Sequence, residues 1–222
     1  MKSVVRFIPG VLAIAMAMPA LAVTAKTGVF VLGGLGVGST QTPTSEYEGT
    51  GVTESTISTA ETAWAVGVGY NDALTSHMLV GGEVDYAMDG AADYSYTDGA
   101  GKTSGKIRTH SMDFLGDATY LWQNGFNLFG KLGVARLSQD ATISGANNNG
   151  TGLFTPNSNQ NKTAYKAKMV LGLGYAVSDA WNLTLSFIGT GGDKTTSYPV
   201  DTTKVYATSS VLFGTTSTFS TN

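Results

Sequence analysis

The sequence has no cysteine, which excludes a disulfide framework, thiolate nucleophiles and cysteine-based metal sites. Charge is scarce: 13% of the 222 residues are charged, about half the share usual in a soluble domain. The 13 lysines and arginines are outnumbered by 16 acids and form no basic cluster, so nothing recommends nucleic acid as a partner. Beyond the N-terminus, no apolar run reaches the length of a membrane-spanning helix. What is abundant is glycine, 29 residues, and alternation.

The N-terminus supplies a segment to be set aside. Lys2 and Arg6 precede a short apolar run, "IPGVLAIAMAMP", and then Ala20-Leu21-Ala22. A basic start, a short apolar centre and small residues at the cut are the order of a secretory signal peptide. The expected division is therefore 1–22 signal peptide, cut after Ala22 or alternatively after Ala25, and 23–222 a single domain. Without Lys2 and Arg6 the mature chain keeps 11 basic against 16 acidic residues, a net charge of −5.

Eight segments then alternate with period two, the signature of strands with one apolar and one polar face. The third is the plainest, "MLVGGEVDYAMDG". Met78, Val80, Val84, Tyr86 and Met88 share one parity, and Glu83, Asp85 and Asp89 the other. The remaining segments are 27–39, 62–70, 110–120, 126–137, 164–175, 181–189 and 204–219. Connectors after the second, fourth and sixth are short (71–77, 121–125, 176–180). Those after the first, third, fifth and seventh are long and rich in Ser, Thr, Asn, Gly and Asp (40–59, 89–106, 139–162, 190–202). A soluble sandwich has no reason to sort connector length by side, whereas membrane barrels pair tight inner turns with long external loops. The expected fold is all-β: an eight-stranded antiparallel up-and-down transmembrane β-barrel, oil outward and acids inward.

"LVGGEVDY" (79–86), "FGKLGVAR" (129–136), "KMVLGLGY" (168–175) and the terminal strand ending in Phe219 resemble the small outer-membrane barrels, the OmpA-like transmembrane domain and opacity-type proteins. The resemblance spans the whole mature chain. It implies the cell outer membrane of a Gram-negative envelope, with outer-membrane lipid and lipopolysaccharide as neighbours and surface or host ligands as possible loop contacts. It also implies recognition by the barrel-assembly machinery through the C-terminal strand. Here Ser220, Thr221 and Asn222 follow Phe219, which makes Phe219 the expected signal aromatic. A charged network in the barrel interior, in some members a gate, is implied as well.

Counting from the short-turn ends places inward charges in one mid-height layer: Glu83, Asp85, Asp113 and Asp117 facing Lys131, Lys166 and Lys168. A barrel of eight strands is just wide enough to be filled by its own side chains, so these charges must pair and act as a plug rather than a pore. Outward Tyr70, Tyr120, Trp122, Phe126, Tyr175, Trp181 and Phe219 gather at the short-turn ends as an interfacial aromatic girdle.

Other constellations are weak. "GAGKTSG" (99–105) approaches a phosphate loop, but Tyr96 stands where its first glycine belongs and no helix follows; it is expected to be a flexible external loop. His77 falls in an inner turn, and His110 lies near the outer rim on the lipid-facing parity. Met112, not a serine, follows His110 on that face, so a His–Ser nucleophile is not met. No metal-ligand spacing occurs. No cofactor and no enzymatic activity are expected; the role is structural or interactional through four external loops. The alternatives are a narrow channel for small or hydrophobic solutes and, third, a lipid A-modifying enzyme.

Overall fold

The computed structural model describes residues 24–40, 54–58, 60–98, 101–145, 158–193 and 205–220. Its strands are β1 Gly28–Thr40, β2 Glu54–Ser58, β3 Ala60–Thr75, β4 Met78–Asp98, β5 Gly101–Leu121, β6 Phe126–Gly145, β7 Ser158–Ala176, β8 Trp181–Thr190 and β9 Thr208–Ser220. Each wall strand pairs antiparallel with the next: β1 with β3, β3 with β4, and so on through β8 with β9. β9 returns to β1, from Gly28 opposite Ser220 to Thr40 opposite Thr208. The sheet therefore closes into a ring of eight, with β2 a short upper strand laid against β4.

The alternation in sequence decides what each face shows. Leu35 (67% exposed), Leu132 (66%) and Phe187 (55%) stand on the outer surface, whereas Ala63, Ala135 and Leu137 are fully buried inside. A soluble sheet would invert this. An outward band of apolar side chains around a polar interior is the surface a bilayer accepts. Small inward residues make room for the few large ones: a Cβ at Gly172 would fall 2.2 Å from the ring of Phe129, its partner on the neighbouring strand, so glycine there is what lets that ring lie across β7.

Strand lengths depart from the sequence reading. β3 continues to Thr75, leaving Ser76 and His77 as the whole turn. β4 and β5 run to Asp98 and from Gly101, so the expected 89–106 loop is a tall hairpin, and most of "GAGKTSG" is strand. β6 and β7 likewise extend to Gly145 and from Ser158. The reason is cooperative: once a hairpin is started, each further cross-strand pair satisfies backbone donors and acceptors, and polar Ser, Thr and Asn side chains sit comfortably on a ladder that has left the hydrocarbon. Expected loop residues around Gly49 and Asn148 lie outside the described residues, as does the signal segment 1–22.

One irregularity shapes the outer mouth. Register between β4 and β5 slips at Met88/Gly90. Gly90 has φ +125°, and its missing Cβ would sit 2.7 Å from the Gly38 carbonyl carbon of β1. Only glycine tolerates that conformation at that approach. The bulge turns Asp89–Ala92 toward the barrel axis; Asp89, Ala91 and Ala92 are all buried.

Candidate functional site

The interior carries the chemistry. Parity puts Glu83, Asp85 and Asp89 of β4 inside, with Ser111, Asp113 and Asp117 of β5, Lys131 of β6 and Lys168 of β7. Closure brings them together in two groups rather than the single expected layer. In the inner group Lys131 Nζ donates to both carboxylate oxygens of Glu83 at 2.6 Å and lies 5.5 Å from the Phe129 ring centre. Asp85 is buried beside them. Asn71, its amide turned to donate, reaches the oxygens of Asp117 at 2.9 and 3.1 Å. In the outer group Lys168 Nζ donates to Asp113 at 2.5 Å, Asp89 at 3.0 Å and Ser111 Oγ at 3.1 Å, and all four are buried. Two lysines thus answer five carboxylates, and the walls of four strands are tied through them.

Counting along single strands misplaces two groups. Lys166 is not in the interior layer; its ammonium pairs with Asp193, past the outer end of β8. Tyr175 is buried rather than exposed, because the Gly125 turn covers it and its ring meets Phe126 edge-on at 5.2 Å. The other inner-end aromatics, Tyr70, Tyr120, Trp122, Phe126, Trp181 and Phe219, are 40–60% exposed. His77 is partly covered, bonded to Ser76 Oγ at 2.8 Å and stacked on Tyr120. His110 faces outward with its ring stacked on Tyr86 at 6.3 Å. Asp89 shares the inward parity of Glu83 and Asp85, so its direction is legible in the sequence, and the structure adds it to the expected network through Lys168.

The outer mouth is closed by protein atoms. Val205 shares the parity of Val211, Phe213 and Phe219 in the expected 204–219 strand, which would turn it outward. β9 begins only at Thr208, and Val205 instead turns into the barrel against Ala135 and Leu137, fully buried. The next residue is clamped: the Gln139 side chain accepts from the Tyr206 N–H and donates to the Tyr206 carbonyl, both at 2.9 Å. Gln139 also donates to Thr109 Oγ1 at 3.0 Å, and Thr109 meets Thr40 across the mouth at 3.4 Å. Asp193 holds the segment from outside, accepting from the Val205 N–H at 2.9 Å while its own N–H donates to the Val205 carbonyl at 2.7 Å. The Lys166 hydrogen bond, then that of the Val205 N–H, holds the Asp193 carboxyl below the usual carboxylate range. Gln139 and Asp193 fall in stretches the sequence assigns to loops and Tyr206 at the start of the expected last strand, and no local pattern marks them as partners.

Below the mouth a cavity of about 140 Å³ reaches from Thr24 and Asp179 at the inner end up to Asp85 and Lys168. It has room for several waters among polar groups and stops at the charged layer. Among the described residues no cluster of His, Asp or Glu is arranged to hold a metal ion.

No family model matches this chain, and no curated protein sequence matches it. The chain is similar in fold to solved outer-membrane barrels. One is Ail, the attachment invasion locus protein of Yersinia pestis, in complex with the heparin analogue sucrose octasulfate (11% identity, TM-score 0.49, covering 88% of this chain and 100% of that one). Another is neisserial surface protein A (12%, TM-score 0.47, 88% and 99%). A third is the outer membrane protein OprG from Pseudomonas aeruginosa (14%, TM-score 0.45, 90% and 100%).

Proposed function

We propose that this chain is an exported outer-membrane β-barrel whose role is structural and interactional, exercised through its outer hairpins and connectors, without catalysis and without a standing pore. The observation that carries this reading is the closed mouth: the Gln139–Tyr206 clamp and the Thr40–Thr109 contact fill the lumen above the ion pairs. A lumen blocked by packed, hydrogen-bonded side chains offers no continuous water path. The outward apolar band supports membrane residence, and lipid, lipopolysaccharide and surface ligands are the partners within reach. Phe219, 60% exposed near the end of β9, is the side chain available to the assembly machinery. Planar-bilayer recording tests the reading: the purified barrel gives no steady single-channel conductance, and regular ohmic steps from the wild-type protein would overturn it. Deleting the outer connectors one at a time, with whole-cell binding to surfaces as readout, then locates the contact.

A narrow channel is the second reading, favoured by the cavity that opens at the inner end and reaches Asp85. It requires the Val205–Tyr206 segment to leave the mouth.

A further inference from the structure

Arg6 aside, the chain has two arginines, Arg108 and Arg136. Both are exposed on the outer face of neighbouring strands, β5 and β6. Arg136 stands opposite Met112 on one side and Tyr165 on the other, and Arg108 is four residues above Met112 on β5. Neither makes an ion pair among the described residues. Asp140 faces Arg108 in register, but its carboxylate is taken by Asn161 on β7 at 2.5 Å. Among the other described lysines, Lys26 pairs with Asp179, Lys106 with Glu61 and Asp93, Lys166 with Asp193, and Lys131 and Lys168 are held inside, while Lys102 and Lys162 are exposed nearer the strand tips.

Height fixes what these guanidinium groups meet. Arg136 lies ten residues above Phe126, and Arg108 twelve above Tyr120. At about 3.3 Å per residue and a strand tilt near 40°, that is about 25 and 30 Å above the inner aromatic ends. The apolar band of such barrels is about 25 Å tall, so both forks emerge at the outer headgroup level. His110 lies between them on the same face, its Nδ1 covered and without a hydrogen-bond partner. Tyr86 and Tyr165 flank the group as interfacial rings. At the corresponding height, ten residues above Trp181, Phe219 and Val29, the outward residues are Gly191, Ser209 and Ser39, and none carries a charge. The cationic patch is therefore one-sided.

We propose that Arg108, Arg136 and His110 form a binding site for the phosphate-bearing headgroup of lipopolysaccharide, which docks lipid A against the β5–β7 wall. Guanidinium forks match phosphate oxygens in bidentate geometry, and a planar fork on a rigid strand gives up less freedom than a lysine would. The arginines are about 13 Å apart along the strand direction and one strand spacing across, a span for two phosphates rather than one. The proposal rests on the outer-membrane reading above and on the orientation that puts the short turns inside.

Native mass spectrometry of the full mature barrel in detergent, titrated with bisphosphorylated or dephosphorylated lipid A, tests it. Wild type is expected to bind the bisphosphorylated lipid at least about tenfold more tightly, a difference of about 1.4 kcal/mol. R108Q/R136Q should lose that preference, and R108K/R136K should retain only part of it. Equal affinity of wild type for the two lipids, or an undiminished preference in R108Q/R136Q, overturns the site. Both side chains are exposed, so the variants fold; an unchanged β-type circular dichroism spectrum verifies this. Insertion of wild type into phosphocholine vesicles separates the two failures. A chain that inserts but shows no phosphate preference refutes the patch alone, and one that does not insert refutes the membrane reading with it.

Discussion

Glu83 accepts both of its close contacts from one ammonium, and its side chain is fully buried. Such a pair need not stabilise the fold relative to apolar residues of the same volume, but removing one partner leaves the other charge stranded. Glu83→Ala is therefore expected to cost about 3–5 kcal/mol, measured by urea unfolding in lipid vesicles, and Glu83→Ala with Lys131→Met should recover most of it. Lys168 is not part of that rescue, because its carboxylates are Asp89 and Asp113. A neutral outcome for Glu83→Ala would refute the lumenal pairing. Asp193 carries a different signature. Its pKa is depressed in the folded barrel, so its stabilising contribution is present above the ordinary aspartate value of about 3.9 and is lost as pH falls through the lower folded value. The Tyr206 amide resonance should move, as pH drops from about 5 to about 2, toward its position in Asp193→Asn at neutral pH. A resonance indifferent to both changes would show that Asp193 does not hold the mouth segment.

At the level of elements, the alternation was legible wherever a strand crosses hydrocarbon, because there every second residue must be apolar; the inner ends of β4, β6, β7 and β8 begin or end within a residue of where the pattern does. The upper strand ends were not legible. Above the bilayer neither face is required to be oily, so "SYTDGAGKTSGK" looks the same on a ladder as in a loop. The interior partners were half legible: parity gives direction, but it cannot tell which lysine meets which acid, since that depends on stagger around the ring. The clamp at the outer mouth was invisible, because Gln139 and Tyr206 are 67 residues apart. Two consequences are measurable. External protease on intact cells should leave the β4–β5 hairpin uncut apart from the residues between Asp98 and Gly101, whereas a loop would be nicked throughout 89–106. Since the chain has no cysteine, Val205→Cys is a sole thiol; it should react slowly with a maleimide and at least about tenfold faster when Gln139→Ala is added, if opening the clamp costs the 1.4 kcal/mol or more of a side-chain hydrogen-bond pair. Equal rates would mean that Gln139 is not the clamp.

The whole molecule is one closed sheet, and it should behave as one: the purified chain in detergent is expected to give a β-type spectrum and to run at different mobility before and after boiling. A largely helical spectrum would refute the fold. Closure also orders events in time. Most ring pairings join strands consecutive in the chain, through connectors of a few to a few tens of residues, whereas β1 meets β9 with Gly28 opposite Ser220. Loop-closure entropy and contact order make that seam the slow one. Until it zips, the chain is an open sheet with two bare edges, each a template for another chain. Refolding into vesicles should therefore show secondary structure gained first and boiling-sensitive mobility later. A proline within β9 should lengthen the second phase and raise the yield of dimers in proportion to protein concentration. The thirteen residue pairs of the seam are thus a kinetic gate on assembly as much as a wall of the finished barrel.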